Sequence, residues 1–185
     1  MAILAGDALL TLAFEVLLRQ EKTEPAVKLA VLKDFAVAAG QSGMVGGQAM
    51  DIEAEGRKID METLQKLHMG KTGALFHAAI RSGAMLAGAS PEELKALTTY
   101  ADKFGLAFQI TDDILDVTGD EEVLGKPVGS DERNDKSTYV TLTSLAEAQK
   151  LAEETVAEAV AALEPLGEKA AFLRELVEYL LKRNK

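Results

Sequence analysis

The chain has 185 residues, no cysteine, and a net charge of −10 from 30 acidic against 20 basic side chains. That length fits one domain with a sizeable core, while the lack of cysteine excludes disulfides and thiolate metal sites and suits a reducing cytoplasm. An acidic balance with no basic stripe argues against direct nucleic-acid binding; a hydrophobic content of 48%, rich in Ala and Leu with 5% aromatic residues, favours packed helices over a β-sandwich. The first amphipathic run covers 2–20, with Asp7, Thr11 and Glu15 four apart as one polar stripe. These polar residues interrupt the most apolar stretch, so no membrane span is expected, and no signal peptide is legible. The run opens on Met-Ala-Ile-Leu without a Ser, Thr, Asp or Asn cap. That start raises the expectation that the chain begins partway along a longer helix.

Thr23-Glu24-Pro25 reads as a helix entry with Pro in the first turn. The run that follows, 25–53, carries Gly40, Gly43, Gly46 and Gly47, which weaken a helix but alternate with Met44, Val45 and Gln48 at core-like spacing. Close helix–helix contact or backbone approach to a ligand both fit. A loop at Gly56-Arg57 precedes a helix over 60–87. Ser90-Pro91-Glu92-Glu93 then combines a cap with Pro at the first helical position, and its helix continues through Ile110 into Asp112-Asp113-Ile114-Leu115-Asp116. The stretch 118–136, rich in glycine and charge, reads as a long loop of the kind that covers active sites. Helices over 137–163 and 166–183, broken near Pro165 and Gly167, finish an all-α single domain spanning 1–185.

The aspartate cluster carries the chemistry. In a helix Asp112 and Asp116 lie about 40° apart, with Asp113 about 60° beyond Asp116, and Gln109 joins the same face. Crowded carboxylates repel one another. A divalent cation such as magnesium suits an all-oxygen site and shares its coordination shell with phosphates, and the lysines downstream would complete a clamp on a diphosphate. Taken alone, DDxxD also reads as a solvated acidic helix face. Its position at the end of an apolar helix (Phe104, Leu106, Ala107, Phe108, Ile110), followed by a polar loop, favours a site. His68, His77 and Arg81 read as packing or surface residues, and Met44, Met50, Met61, Met69 and Met85 as core filler.

Gly46-Gly47-Gln48, Lys71-Thr72-Gly73, Phe108-Gln109-Ile110-Thr111-Asp112-Asp113-Ile114-Leu115-Asp116 and Gly125-Lys126-Pro127-Val128-Gly129-Ser130-Asp131 occur here in one order. That ordered set resembles the trans-polyprenyl diphosphate synthases, and within them the bacterial farnesyl diphosphate synthase (geranyltranstransferase) group. The resemblance covers essentially the whole chain, as the C-terminal two-thirds of a family member. It implies an isoprenoid-synthase-type helical bundle without the family's N-terminal helices. It also implies condensation of isopentenyl diphosphate with an allylic diphosphate, dimethylallyl or geranyl, through magnesium-assisted ionisation to give farnesyl diphosphate. By this match Asp112 and Asp116 are magnesium ligands, Asp113 is a direct or outer ligand, and Asp131 adds one from the loop. Lys71, Lys126 and Lys136 contact the allylic diphosphate. Thr72 and Gln109 lie near the diphosphate and the developing cation, and Phe108 lines a hydrocarbon tunnel. Gln48 and Asp51, one turn apart, are further substrate-binding candidates. A homodimer is implied as well.

The match is partial. Family members carry two facing aspartate-rich motifs and an upstream basic and His set for isopentenyl diphosphate, whereas this sequence carries one aspartate-rich motif. The expectation is therefore a chain that is inactive or nearly so by itself. The competing expectation is a non-catalytic prenyl-synthase-like subunit acting through helix-mediated dimerisation. A terpene cyclase, the other all-α class using DDxxD, fits poorly. Asn134-Asp135-Lys136-Ser137-Thr138 supplies neither the spacing nor the Glu of its second metal motif.

Overall fold

A computed structural model describes residues 1–119, 129, 131 and 135–183. Its elements, among the described residues, are helices and turns with no strand. In chain order they are α1 (Ala2–Leu18), α2 (Pro25–Ala39), α3 (Met44–Ala54) and α4 (Met61–His68). A π-helical turn (Met69–Gly73) then leads into α5 (Ala74–Leu86), α6 (Pro91–Thr118), α7 (Tyr139–Leu142) and α8 (Leu145–Ala162). A 3-10 segment (Glu164–Ala170) and α9 (Ala171–Leu180) close the fold. The all-α class expected from the sequence is what the structure shows.

Local chemistry explains where most helices start. Ser90 Oγ accepts from the Glu93 N–H at 3.2 Å while Glu93 accepts from the Ser90 N–H at 2.9 Å, a complete capping box. Asp60 accepts from the Thr63 N–H at 2.9 Å to open α4. Pro25 and Pro91 occupy first-turn positions, where a missing N–H costs nothing. The run over 25–53 is two helices rather than one, because the chain turns at Gly40–Gly43, with the Gly43 and Val45 N–H groups both donating to the Gly40 carbonyl at 3.1 Å. The 137–163 run also divides, since Ser144 caps a fresh helix by accepting from the Glu147 N–H at 3.2 Å.

Helix α6 runs through the centre. Ala96, Leu97, Tyr100, Ala101, Phe104 and Ala107 are buried at helical spacing, and of these Leu97, Tyr100, Phe104 and Ala107 pack with Val156, Ala159, Leu163, Val177 and Leu180. Its second half joins Ile110 and Ile114 to Leu64, Tyr139, Ala148 and Ala152 in a second cluster. Burying a Leu- or Ile-sized side chain is worth about 1.5–3 kcal/mol, so these two clusters fix the last turns of α6 between α4 and α8. Tyr100 completes the packing with its hydroxyl, which donates to the Leu173 carbonyl at 2.8 Å. Helix α1 is different: none of its residues is buried, and Ile3, Leu4, Leu9, Leu12, Val16 and Leu18 are exposed. Phe14 meets Phe35 of α2 edge-on at 5.1 Å.

Candidate active site

A seam of backbone contacts positions the site. Gly47 of α3 lies so close to the π-helical turn that a Cβ on it would stand 2.0 Å from the Lys71 nitrogen. On the far side of that turn, a Cβ on Gly105 of α6 would stand 3.0 Å from Gly73 Cα. The turn carrying Lys71 and Thr72 is thus pressed between α3 and α6 with no side chains intervening. Of the two roles the sequence left open for the glycines near 43–47, helix–helix contact is the one seen at Gly47. A π turn inside a helix, frequent at functional sites, left no mark in the apolar periodicity of 60–87.

One turn beyond Gly47, Asp51 is buried, at 8% exposure. Its Oδ2 accepts from Lys71 Nζ at 2.5 Å, and Lys136 Nζ donates to Oδ1 and Oδ2 at 3.1 and 3.2 Å. Burial disfavours the ionised carboxyl, yet the hydrogen bonds and charges of the two lysines outweigh it and hold Asp51 below the usual range. The segment bearing Lys136 is tied down around it. The Tyr139 N–H donates to Asp113 Oδ2 at 2.8 Å, the Asp131 N–H donates to Asp116 Oδ2 at 3.0 Å, and the Lys136 N–H donates to the Asp131 carbonyl at 2.9 Å.

These elements enclose a cleft of about 250 Å³. One wall carries Asp51, Lys71, Thr72 and Lys136; the other carries Phe108, Gln109, Asp112, Asp113 and Asp131, with Leu64, Leu67 and His68 at the base. Lys71, Thr72, Phe108, Gln109, Lys136, Asp51, Asp112, Asp113 and Asp131 are therefore brought together. Asp116 faces a neighbouring hollow shared with Asp113, Gly129 and Asp131. Gln48 is exposed on α3 and does not line the cleft. Lys126 lies outside the described residues. Arg183 sits over the Phe108 ring at 5.0 Å and 3.7 Å from Asp112 Oδ1.

Electrostatics separate the two walls. Burial pushes the Asp113 carboxyl up to about 8, and the like charges of Asp131, Asp112 and Asp116 add to it against the Tyr139 N–H. Donors of this kind, hard oxygens under mutual repulsion, fit a divalent cation such as magnesium. Among the described residues, however, no three carboxylate or imidazole groups converge on one point as a finished metal site. At the base, burial lowers the His68 imidazole to about 4, with Asp51, Lys71, Asp112 and Lys136 all contributing fields. Both His68 ring nitrogens and the Tyr139 hydroxyl are buried with no hydrogen-bond partner among the described residues, and the two rings stack at 5.7 Å. The sequence reading missed His68 as part of the cleft. Its place one turn before Lys71 and Thr72 was the available signal.

An all-α chain with lysines facing crowded carboxylates across a cleft defines a class, and comparison with known proteins gives it a family. The chain belongs to the polyprenyl synthetase family, which matches residues 1–179. It is 43% identical over 190 residues to the farnesyl diphosphate synthase of Escherichia coli, a match covering 100% of this chain and 64% of that protein. To the farnesyl diphosphate synthase of Geobacillus stearothermophilus it is 47% identical over 152 residues, covering 81% and 51%. Among solved structures it is similar to geranylgeranyl pyrophosphate synthetase from Pyrococcus horikoshii, with a TM-score of 0.87, 32% identity and coverage of 100% and 67%. The Helicobacter pylori geranyltransferase, solved in complex with magnesium and isoprenyl diphosphate, gives a TM-score of 0.81 at 35% identity, covering 98% and 59%. The chain thus spans 51% to 64% of the length of the two curated relatives described.

Proposed function

We propose that this chain supplies the allylic-diphosphate half of a prenyltransferase that condenses isopentenyl diphosphate with dimethylallyl or geranyl diphosphate to give farnesyl diphosphate. The observation that supports this most is the single cleft in which Lys71 and Lys136 face Asp112, Asp113 and Asp131 beside Phe108. Lys71 and Lys136 donate to the diphosphate oxygens and pull on the leaving group, a role shared by Lys126 of the Gly125-Lys126-Pro127 motif. The Thr72 hydroxyl and the Gln109 amide orient the C–O bond to be broken and face the cation that forms. Phe108, Leu64 and Leu67 exclude water from that cation. The double bond of isopentenyl diphosphate then attacks it to form the new C–C bond. The cation so formed loses a proton, for which the released diphosphate is the base at hand. Magnesium, held by Asp112, Asp113, Asp116 and Asp131, would neutralise charge on the departing diphosphate, the differential stabilisation that catalysis requires.

By itself, with one aspartate-rich motif, the chain turns over little or no substrate. Incubation with isopentenyl and dimethylallyl diphosphates plus magnesium tests this, and turnover at ordinary rates refutes it. A crystal soaked with magnesium and a bisphosphonate tests the cleft directly, with density expected between Lys71 and Asp112. The exposed apolar face of α1 supports a further reading, association as a cytoplasmic homodimer or with a partner chain through that helix. Among the described residues no helix is long and apolar enough to cross a membrane.

A further inference from the structure

The two lysines of the cleft do not wait for a ligand with their charges exposed; both are already bonded to one internal carboxylate. We propose that Asp51 is a built-in counter-anion that converges Lys71 and Lys136 and competes with an incoming diphosphate for them, so that it sets how readily a diphosphate leaves. This rests on the diphosphate reading of the cleft. Three distant pieces of chain meet at this carboxylate: α3, the π turn 20 residues on, and the segment 85 residues on. Two ammonium groups this close repel, and a shared carboxylate removes the repulsion while fixing both positions. The side chains are graded in exposure, Asp51 at 11% against 34% for Lys71 and 24% for Lys136. A ligand entering the cleft therefore meets the lysines first and finds them partly neutralised from behind.

Each ammonium has three N–H donors, and Asp51 engages one or two of them, so a diphosphate can share the pair without dismantling it. It does so next to a carboxylate that stays ionised, and that like charge weakens its hold. Tight binding common to substrate, transition state and product does not speed the chemical step, and release of product limits many enzymes. A counter-charge placed behind the lysines tempers such binding. A buried ion pair with a purely structural role would lose stability on disruption but would not make the site bind anions better.

The test is calorimetric titration of inorganic pyrophosphate into the 185-residue chain, in chelator without magnesium so that the lysines alone are read. Asp51→Asn is expected to tighten binding about tenfold at low ionic strength, with the gain shrinking as salt is raised. Equal or weaker binding by a folded Asp51→Asn chain overturns the inference. Lys136→Gln separates the two levels. If it weakens binding while Asp51→Asn fails to tighten it, only the counter-anion role falls. If it leaves binding unchanged, the diphosphate reading falls and takes the inference with it. Should the Asn variant not fold, the Asp51 carboxyl carbon resonance is followed in the unsubstituted chain. A shift that tracks pyrophosphate saturation is expected, and a resonance fixed to saturation overturns the proposal.

Discussion

On the basic wall of the cleft, Lys71 and Lys136 converge on Asp51, whose single negative charge offsets half of theirs inside the protein. On the acidic wall, Asp113 leans on the Tyr139 N–H while burial, helped by the like charges of its neighbours, pushes its carboxyl up to about 8. One wall is partly neutralised before any ligand arrives, and the other has a carboxyl that resists ionising until positive charge arrives. The contrast teaches that the two halves answer to different partners: the lysines to an anion that must outcompete Asp51, the aspartates to a cation.

The largest way to break the arrangement is to open the glycine seam behind the basic wall. Gly47→Ala places a methyl group 2.0 Å from the Lys71 backbone nitrogen, where no flexible side chain can give way. The expected cost is about 3 kcal/mol, the upper end for overpacking, read as a lowered midpoint in urea unfolding. Lys71 should also separate from Asp51, with weaker pyrophosphate binding. An unchanged midpoint would show that α3 can slide along the π turn.

Next in size is a pH effect at His68, where the fields of both walls meet. Its folded-state value of about 4 lies below the ordinary 6.5, so the unfolded chain takes up a proton first as pH falls. The stability this neutral ring permits is intact above 6.5 and is lost as pH drops towards 4. His68→Phe keeps the stacking on Tyr139 and removes both unpartnered nitrogens. Between pH 7 and pH 5 the unsubstituted chain should lose about 2 kcal/mol relative to this variant. Parallel denaturation curves at the two pH values would contradict the assignment.

Much of the scaffold was legible in advance. Ser90-Pro91-Glu92-Glu93 announced the start of α6, and apolar spacing carried that helix through Ile110 to the aspartates, because caps and periodicity are local. The π turn was not legible, since one extra residue in a turn leaves the apolar pattern of 60–87 nearly intact. The Asp51 triad was not legible either, because it joins residues 20 and 85 positions apart and nothing local marks a shared carboxylate. Asp51 stood out only as a neighbour of Gln48, and of the two it is Asp51 that enters the cleft.

The smallest expected effect sharpens the acidic wall. Asp113→Asn keeps an oxygen for the Tyr139 N–H and removes one charge from the crowd. Below about pH 8 the Asp113 carboxyl carries a proton that a cation must expel. Magnesium affinity of the unsubstituted chain should therefore strengthen as pH rises from 6 to 8, and the Asn variant should lose this dependence. At pH 8 the variant should bind magnesium about tenfold more weakly, roughly 1.4 kcal/mol less cation-linked stabilisation. Thermal unfolding with and without magnesium measures both. Its effect on pyrophosphate binding in chelator should be slight and favourable, since the lysines answer to Asp51 and the pyrophosphate loses only a distant like charge. If Asp113→Asn instead left magnesium stabilisation intact and strongly changed pyrophosphate binding, the two walls would be one coupled unit, and the division of labour drawn between them would not hold.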